Sequence, residues 1–342
     1  MTRGALVTAA LALLLGSSAV DLRVSLHSTA AAYLASMPKI GPIAGRDTTY
    51  DYYERLNEDA ALLDDPSVPQ GYSAAEWSQT ITRISQLDIS LATQLLHATY
   101  DSMSGIRGLG EALVRSSRDG TMQPVAVYVP SSYSPARPAP LVVLLHGRPQ
   151  SETQLIAPPY VAELAERSGA IVVAPWGRGY YDFRGSVGDV YDAIDAATRA
   201  FSIDPRRRYL AGYSMGGFSV FEIAPARPQV WAAVMSVAGA LLGSDSQRLV
   251  ATMRRTPFYV LTGSADESIP TQFPTATAAF LQSAGMDVSF YSEPGGIHRL
   301  ITLLPILTQA WNDMLHGVVR APQNALGSLS LPSMIPASIF KP

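Results

Sequence analysis

The chain has 342 residues, of which 47% are hydrophobic and 15% are charged, and its net charge at pH 7 is −3. This length supports one large domain or two small ones, and the weak negative charge gives no reason to expect a nucleic-acid partner. Because the chain contains no cysteine, a thiol nucleophile, a disulfide framework and a cysteine-ligated metal are excluded.

The N-terminal segment MTRGALVTAALALLLGSSAV predicts a secretory signal peptide over residues 1–19. Arg3 precedes an apolar run that is too short to span a bilayer, and small residues follow as far as Ala19. The alternative is a retained N-terminal anchor. We expect a secreted or periplasmic protein with no stable membrane span after cleavage, since no later stretch is apolar for about 18 residues. Residues 20–45 are punctuated by Gly and Pro and predict a poorly ordered lead-in.

Two helical patterns come next and predict a helical appendage over residues 46–105. The first pattern places three apolar side chains on one helix face: Tyr50, Tyr53 and Leu56. The second begins with Ser73 and Glu76, which have the spacing of a capping box, and continues with apolar residues at helical spacing. The appendage is expected either to pack structurally on the main body or to form a wall over the active site.

From residue 108 onward, apolar strand patterns alternate with helical patterns. A hairpin with a turn at Asp119 and Gly120 comes first. The runs LVVLLHG and AIVVAP are typical of strands that are buried on both faces, and the helices between them would supply the cover. We predict an α/β domain over residues 106–318, with a mostly parallel central sheet and helices on both faces. The tail, residues 319–342, is expected to lie on the body or to be disordered.

The motif G-x-S-x-G occurs once, at residues 212–216, between a strand pattern and a helical pattern. A sharp turn there brings neighbouring backbones into contact, so side chains at positions 212 and 216 would clash. The turn exposes the hydroxyl of Ser214 at the C-terminal edge of the sheet. The helix that follows points its N–H groups to the place where negative charge develops during attack on a carbonyl. The alternative is a Gly/Ser turn that merely begins a helix.

A serine nucleophile needs a base, and with this motif the chain order is Ser, Asp/Glu, His. Two histidines follow Ser214: His316 ends the last helical pattern, whereas His298 lies in a glycine-rich loop, so His298 is the predicted base. Asp266 lies three residues past an apolar strand, where its carboxylate can accept the N–H of the imidazole. Glu293 is the alternative acid.

The oxyanion hole is predicted to combine the backbone N–H of Met215 with that of Arg148, in the loop after the first core strand. His146 is expected to support this loop through its ring nitrogens. Candidate substrate-binding aromatic residues lie beside the serine or in the loop after AIVVAP: Trp176, Tyr180, Tyr181, Phe183 and Tyr213. The alternative for Trp176 is packing beneath the serine turn. Three acidic residues at helical spacing are interpreted as a solvated face and as charges at the start of a helix, and not as a metal site: Asp189, Asp192 and Asp195.

With these segments in order, residues 108–318 resemble the α/β-hydrolase superfamily through the motifs LLHG, GYSMGG, TGSADESIP and GGIH. APWGRGYYDFRG and IDPRRRYLAGYSMGG are similar to segments of secreted polyhydroxybutyrate-depolymerase-like and feruloyl- or acetyl-xylan-esterase-like enzymes. They also resemble the catalytic domain of prolyl-oligopeptidase-type peptidases. The resemblance implies an acyl-enzyme on Ser214, hydrolysed by water with His298 as base and Asp266 orienting it. It implies no metal or organic cofactor.

The chain departs from these relatives in two ways. The depolymerase-like enzymes usually carry cysteines, including one beside the oxyanion glycine, where this chain has Arg148. The appendage is also too short for the β-propeller of the oligopeptidases, whose blades recur at about 40 residues each. We predict a serine esterase that acts on small-molecule or polymer-borne esters. The alternatives are a peptidase or amidase without a propeller, and a non-catalytic binding protein on the same fold.

Overall fold

The protein is built around a central sheet. The structure is a computed structural model and describes residues 19–37, 51–178, 183, 185–320 and 330–335. Its strands are β1 (Gly108–Arg115), β2 (Met122–Val129), β3 (Ala139–Leu145), β4 (Ile171–Pro175), β5 (Ile203–Tyr213), β6 (Ala233–Val237), β7 (Phe258–Gly263) and β8 (Val288–Glu293). Within the described residues, the strand order is β1-β2-β4-β3-β5-β6-β7-β8. β2 pairs antiparallel with β1 and β4, and all other pairs are parallel.

Helices cover both faces of this sheet. In chain order they are α1 (Ala19–Ser36), α2 (Tyr52–Asp64), α3 (Ala74–His97), α4 (Glu152–Ile156), α5 (Pro159–Ser168), α6 (Val187–Ala200), α7 (Met215–Ile223), α8 (Ser246–Met253), α9 (Gln272–Ser283) and α10 (Leu304–His316). Leu141 and Val143 of β3 share a core with α6, α7, α8 and α9, whereas Val142 and Leu144 share one with α4, α5 and α10. Since both faces are buried, the strands are continuously apolar. The predicted sheet with helices on both faces is confirmed.

The parallel strands bring the candidate site together because their carboxyl ends meet at one edge of the sheet. The loop after β3 carries residues 146–148, and Ser214 follows β5 directly. Asp266 follows β7, and His298 lies in the loop after β8. β5 and β7 flank β6, so these segments converge although they are far apart in sequence.

The appendage contains α2 and α3. Ser73 caps α3 as a capping box: its hydroxyl accepts from Glu76 N, and its own N–H donates to the Glu76 carboxylate at 2.8 Å. The face predicted for α2 is right at Leu56, which is buried, and wrong at Tyr53, which is 36% exposed while its neighbour Tyr52 is buried in its place. Tyr50 lies outside the described residues.

The poorly ordered lead-in predicted over residues 20–45 is wrong for its described part, because residues 19–36 form α1. This helix buries Leu22, Leu26 and Tyr33 in one cluster with side chains of α2 and α3. The helical spacing of these residues places them on one face, where they pack together. Of the predicted signal peptide, only Ala19, the first residue of α1, lies within the described residues.

The appendage joins the α/β body (residues 106–318) through a core that also contains charges. Leu113 of β1 and Trp176 share the apolar cluster of α1, α2 and α3. Beside it, the fully buried Arg55 guanidinium contacts the Asp88 carboxylate at 2.8 Å. Glu111 of β1 is also buried and accepts a hydrogen bond of 2.9 Å from the Thr153 hydroxyl of α4. Burial, reinforced by the nearby Glu152 carboxylate, raises the pKa of Glu111 well above its usual range.

The described part of the C-terminal tail lies on the body. Pro332 O accepts a hydrogen bond of 3.0 Å from Gly243 N, and Leu331 and Ile335 pack against the two nearest apolar clusters. Within the ranges that the structure describes, no helix combines the length and the apolar character needed to cross a membrane.

Candidate active site

Ser214 lies at the tip of a turn between β5 and α7. Its backbone has φ 54° and ψ −115°, a strained conformation for a residue with a side chain. A Cβ at Gly212 would lie 2.2 Å from Gly216 O, and one at Gly216 would lie 2.3 Å from Leu145 O. The turn therefore requires glycine at both positions.

Backbone hydrogen bonds from two neighbouring strands hold this strained turn. Ser214 N donates to Val237 O at the end of β6 (2.8 Å), and Gly216 N donates to His146 O after β3 (3.1 Å). Strain of this kind costs about 1–3 kcal/mol, and each such bond stabilises the turn by about 1 kcal/mol. The rigid sheet edge thus fixes the position of the Ser214 hydroxyl.

A chain of two short hydrogen bonds connects Ser214, His298 and Asp266. Ser214 Oγ lies 2.8 Å from His298 Nε2, and His298 Nδ1 lies 2.8 Å from Asp266 Oδ2. The serine is 2% exposed, Asp266 is 6% exposed, and the imidazole keeps 18% of its surface accessible. The three side chains predicted from the sequence are brought together in the order that nucleophilic catalysis needs.

The Asp266 carboxylate is held from both of its oxygens. Oδ2 faces the imidazole, and Oδ1 accepts from the backbone N–H groups of Ser268 (3.0 Å) and Ile269 (2.8 Å). Because these donors fix the carboxylate, it accepts the Nδ1 proton of His298 and leaves Nε2 as the acceptor that faces Ser214.

Two loops are tied to each other so that Asp266 and His298 stay adjacent. Ser264 N donates to Glu293 O, and Ala265 N donates to Gly296 O, each at 2.9 Å. The loops approach so closely that a Cβ at Gly263 would lie 2.2 Å from Gly296 O. Asp266 is thus the carboxylate that faces the imidazole, and the alternative, Glu293, supplies a backbone carbonyl to the same junction.

Tyr213 lies against the imidazole. Its ring stacks on His298 with centroids 5.3 Å apart, and its hydroxyl donates to His298 O at 3.0 Å. Burial raises the pKa of Tyr213, so the phenol stays protonated and can donate this bond at neutral pH. Tyr213 thus positions the loop of the predicted base.

The backbone groups predicted to form the oxyanion hole flank the serine. Met215 is the first residue of α7, where a helix leaves its N–H without an intrahelical acceptor. The loop that contains Arg148 crosses directly over the turn: a Cβ at Gly147 would lie 2.8 Å from the Tyr213 ring and 3.1 Å from Ser214 Cβ. The roles of Met215 and Arg148 as donors stay a prediction.

Trp176 is not a substrate-binding residue in this structure, contrary to the sequence-based prediction. Its indole is fully buried, stacks on the His146 ring at 5.6 Å and belongs to the core shared with the appendage. The His146 nitrogens lie 3.0 Å from Gly147 O and 2.9 Å from Trp176 O, a supporting position for the loop. Tyr180 and Tyr181 lie outside the described residues, and Phe183 is buried.

Asp189 lies in the first turn of α6, as the interpretation as a helix-start charge predicts, but the interpretation as part of a solvated face is wrong for it. This side chain is 3% exposed and contacts the Arg178 guanidinium at 2.5 Å, and Arg178 also contacts Asp119 at 2.6 Å. The ion pairs fasten the loop after β4 to α6 and to the β1–β2 hairpin. Across the ranges described, no cluster of three or more acidic or histidine side chains could hold a metal ion.

Sequence reasoning did not identify several side chains beside Tyr213. Tyr213 lines a cavity whose wall also contains side chains from both units. The appendage contributes Tyr72 and Trp77, and the body contributes Gln150 and Tyr160. Their residue types carry no motif, and Trp77 matches an ordinary helical stripe. The expectation that the appendage could form a wall over the active site was the one sequence-based idea that pointed to these side chains. The structure places side chains of the appendage at the rim of this cavity.

Comparison with known proteins gives one relative by sequence. A segment of 108 residues is 32% identical to a bifunctional acetylxylan esterase/xylanase of Neocallimastix patriciarum. The match covers 30% of this chain and 16% of that much longer protein. No family model matches the chain.

Solved structures of esterases are similar to about three fifths of the chain. A ferulic acid esterase superposes with a TM-score of 0.52 at 16% identity, covering 61% of this chain and 97% of that one. The feruloyl esterase module of Clostridium thermocellum, solved with sinapinate, gives 0.51 at 16% identity and covers 63% and 90%. A thermostable esterase gives 0.50 at 20% identity and covers 62% and 63%. These likenesses, the strand order and the turn at Ser214 show that the chain has the α/β-hydrolase fold.

Proposed function

We propose that this protein is a serine hydrolase that cleaves carboxylic esters through an acyl-enzyme on Ser214. The observation that carries the proposal is the continuous hydrogen-bonded chain Ser214–His298–Asp266, with both bonds at 2.8 Å. A structural role alone does not require a strained serine with its hydroxyl against an accessible imidazole.

The geometry supports a two-step reaction. Ser214 Oγ attacks the ester carbonyl carbon while His298 Nε2 takes the hydroxyl proton. The carbonyl oxygen becomes an oxyanion, for which we propose the N–H groups of Met215 and Arg148 as donors. When the bond to the leaving alcohol breaks, His298 returns its proton to that oxygen. A water molecule then attacks the acyl-enzyme, with His298 again as base, and releases the carboxylic acid and free Ser214.

Asp266 has an electrostatic part in this scheme. The imidazole becomes positively charged in each step, and the buried carboxylate at 2.8 Å stabilises that charge. The same contact keeps the ring in the tautomer that accepts a proton at Nε2. We assign Ser214 as nucleophile, His298 as general base and acid, and Asp266 as the residue that orients His298.

We propose esters as substrates because the similar proteins of known fold are named as esterases, and the sequence relative is named as an acetylxylan esterase in part. The substrate is a small-molecule or polymer-borne ester. The competing amide or peptide substrate has a poorer leaving group, and a matched acetate ester and acetanilide of the same aryl group separate the two activities.

The decisive experiment replaces the nucleophile. We expect Ser214→Ala to lower kcat/KM for an aryl acetate by about 10⁴-fold or more while the thermal melting curve stays cooperative. The matched control is Ser219→Ala in the same helix, where the hydroxyl donates only to Met215 O at 2.9 Å. If the Ser214 variant turns over the ester as fast as the Ser219 variant does, the proposal is wrong.

We further propose that the protein is exported, which rests on the signal-peptide pattern of residues 1–19. Expression of the full chain in a bacterial host, followed by cell fractionation and N-terminal sequencing, tests this proposal. A processed chain outside the cytoplasm supports export, and an unprocessed cytoplasmic chain refutes it.

A further inference from the structure

A cavity of about 520 Å³ lies between the appendage and the rim of the α/β body that carries His298. Four aromatic side chains contribute to its wall: Tyr72 and Trp77 from the appendage, and Tyr160 and Tyr213 from the body. Tyr72 and Trp77 meet edge to face with ring centroids 5.3 Å apart. The two units of the fold thus build the cavity jointly.

The cavity is lined by residues next to the proposed catalytic groups, although Ser214 and His298 themselves are not part of its wall. Its wall includes Tyr213, which precedes Ser214 and stacks on the His298 imidazole, and Arg299, which follows His298. The appendage is fixed to this segment: Arg299 donates to Gln70 Oε1 at 3.2 Å, and a Cβ at Gly71 would lie 2.8 Å from the Ile301 side chain. A group bound here would lie on the imidazole side of the serine.

The lining has a definite chemical character. Among the described residues that line the cavity there is no carboxylate, and Arg299 is the charged side chain at its edge. Gln150 and Gln154 contribute amide side chains to the wall, and an amide group can both donate and accept hydrogen bonds. Burial raises the pKa of Tyr160 to about 12, which keeps this phenol neutral. Aromatic faces with amide groups favour a neutral ring that carries hydroxyl or N–H donors.

The reaction chemistry decides which part of the ester occupies the cavity. His298 returns its proton to the leaving oxygen, so the group attached to that oxygen has to lie on the imidazole side. Tyr213 and Arg299 place the cavity on that side. We propose that this cavity binds the leaving alcohol of the ester, that the alcohol contains a neutral ring with at least one hydroxyl or N–H donor, and that the appendage selects it through Tyr72 and Trp77. This inference rests on the proposed esterase activity.

The test uses acetate esters that share one acyl group and differ in the alcohol. We compare kcat/KM for 2-(4-hydroxyphenyl)ethyl acetate with that for ethyl acetate, whose alcohol does not fill the cavity. The full-length protein should prefer the ring-bearing ester, and Tyr72→Ala and Trp77→Ala should each lower that preference about tenfold or more. Leu62→Trp, which places a larger side chain from α2 into the cavity and removes no aromatic side chain of its wall, should also lower the preference for the ring-bearing ester.

Two controls show whether the cavity wall itself sets the alcohol preference. Tyr53→Ala removes an exposed aromatic side chain of α2 that does not line the cavity, and it should keep the wild-type preference. The ratio of kcat/KM for ethyl butanoate to that for ethyl acetate should stay within about twofold in the Tyr72 variant, because the acyl group binds elsewhere. If this acyl ratio changes and the alcohol ratio does not, the cavity binds the acyl part and the assignment is overturned.

The outcomes also distinguish this inference from the proposed function. If the wild-type protein hydrolyses ethyl acetate but the three cavity variants keep its alcohol preference, the inference fails and the esterase proposal stands. If the wild-type protein hydrolyses none of the acetates and Ser214 reacts with no fluorophosphonate, the esterase proposal itself fails.

Discussion

Replacing Asp266 by asparagine tests the geometry of the site more sharply than removing the side chain. In the native structure, Oδ1 accepts from two backbone N–H groups, those of Ser268 and Ile269, and Oδ2 faces His298 Nδ1. In Asp266→Asn, the amide oxygen has to take the Oδ1 position, because an NH₂ group there would confront two donors. The NH₂ group therefore faces Nδ1 of the imidazole.

This rotation changes the tautomer of the base. Nδ1 has to accept from the new NH₂ group, so the ring proton moves to Nε2, the atom that lies 2.8 Å from Ser214 Oγ. A protonated Nε2 cannot take the serine proton, and the charge that stabilised the imidazolium is lost as well. An inverted tautomer with unchanged geometry costs about 10⁴-fold in kcat, which corresponds to about 5 kcal/mol of transition-state stabilisation.

The assay is steady-state hydrolysis of an aryl acetate, with thermal unfolding as the check on the fold. We expect kcat/KM to fall by about 10³- to 10⁴-fold in Asp266→Asn and to stay near the wild-type value in Glu293→Gln, which alters the alternative acid from the sequence analysis. A loss smaller than about tenfold in Asp266→Asn would refute the inverted tautomer. A larger loss in the Glu293 variant would transfer the role of acid to that residue.

Two further predictions concern stability. The folded-state pKa of Glu111 lies above the unfolded value of about 4.3, so the folded state binds this proton more tightly and stability falls as pH rises above that value. Glu111→Gln keeps an acceptor for Thr153 and cannot ionise. Urea unfolding from pH 5 to pH 8 should therefore show a flatter dependence of the unfolding free energy on pH than in the wild type, by about 1.4 kcal/mol for each unit of pKa shift. Parallel profiles for the two proteins would contradict the effect of burial on Glu111. Gly212→Ala places a Cβ 2.2 Å from Gly216 O, so we expect the free energy of unfolding to fall by about 1–3 kcal/mol and the activity to fall as well. The control is Gly188→Ala in α6, whose Cβ meets no atom of the described residues within 4 Å; it should unfold at the wild-type temperature or slightly above it, because alanine favours a helix over glycine. Equal melting temperatures for the two variants would refute the steric clash.

The sheet and the convergence of Ser214, His298 and Asp266 could be predicted because their physical causes are local in the sequence. Strands buried on both faces have to be continuously apolar, which made the runs around β3 and β4 recognisable. The turn at Ser214 needs glycine at positions 212 and 216 because neighbouring backbones approach so closely that a Cβ at either position would clash with a carbonyl oxygen. Since parallel strands end at a common edge, residues just past β7 and β8 had to lie near the serine, and this selected Asp266 and His298.

The errors arose where the environment of a residue depends on distant parts of the chain. Tyr52 and Tyr53 are adjacent tyrosines, and only the packing of α1 on α2 decides which of them is buried. Nothing in the sequence distinguishes Asp189 from other acidic residues of a helix. Its burial depends on the ion pair with Arg178, which lies in the preceding loop. The buried pair of Arg55 and Asp88 joins residues that are 33 positions apart, and a helical pattern alone assigns such charges to solvent.

Trp176 shows the same limit for binding residues. A tryptophan after a core strand suits a substrate pocket or a core equally well, and the choice depends on whether another element covers it. Here the appendage covers it, so the indole is 0% exposed. The aromatic side chains that do line a cavity beside His298 include Tyr72 and Trp77 from the covering element itself.

Covalent labelling of the serine tests the central claim most directly. Incubation with a fluorophosphonate, followed by intact-mass measurement and peptide mapping, should show one adduct per chain, located on Ser214, and no adduct in Ser214→Ala or in protein unfolded with urea beforehand. A folded wild-type protein that remains unlabelled, or an adduct located on another residue, would contradict the assignment of Ser214 as an activated nucleophile.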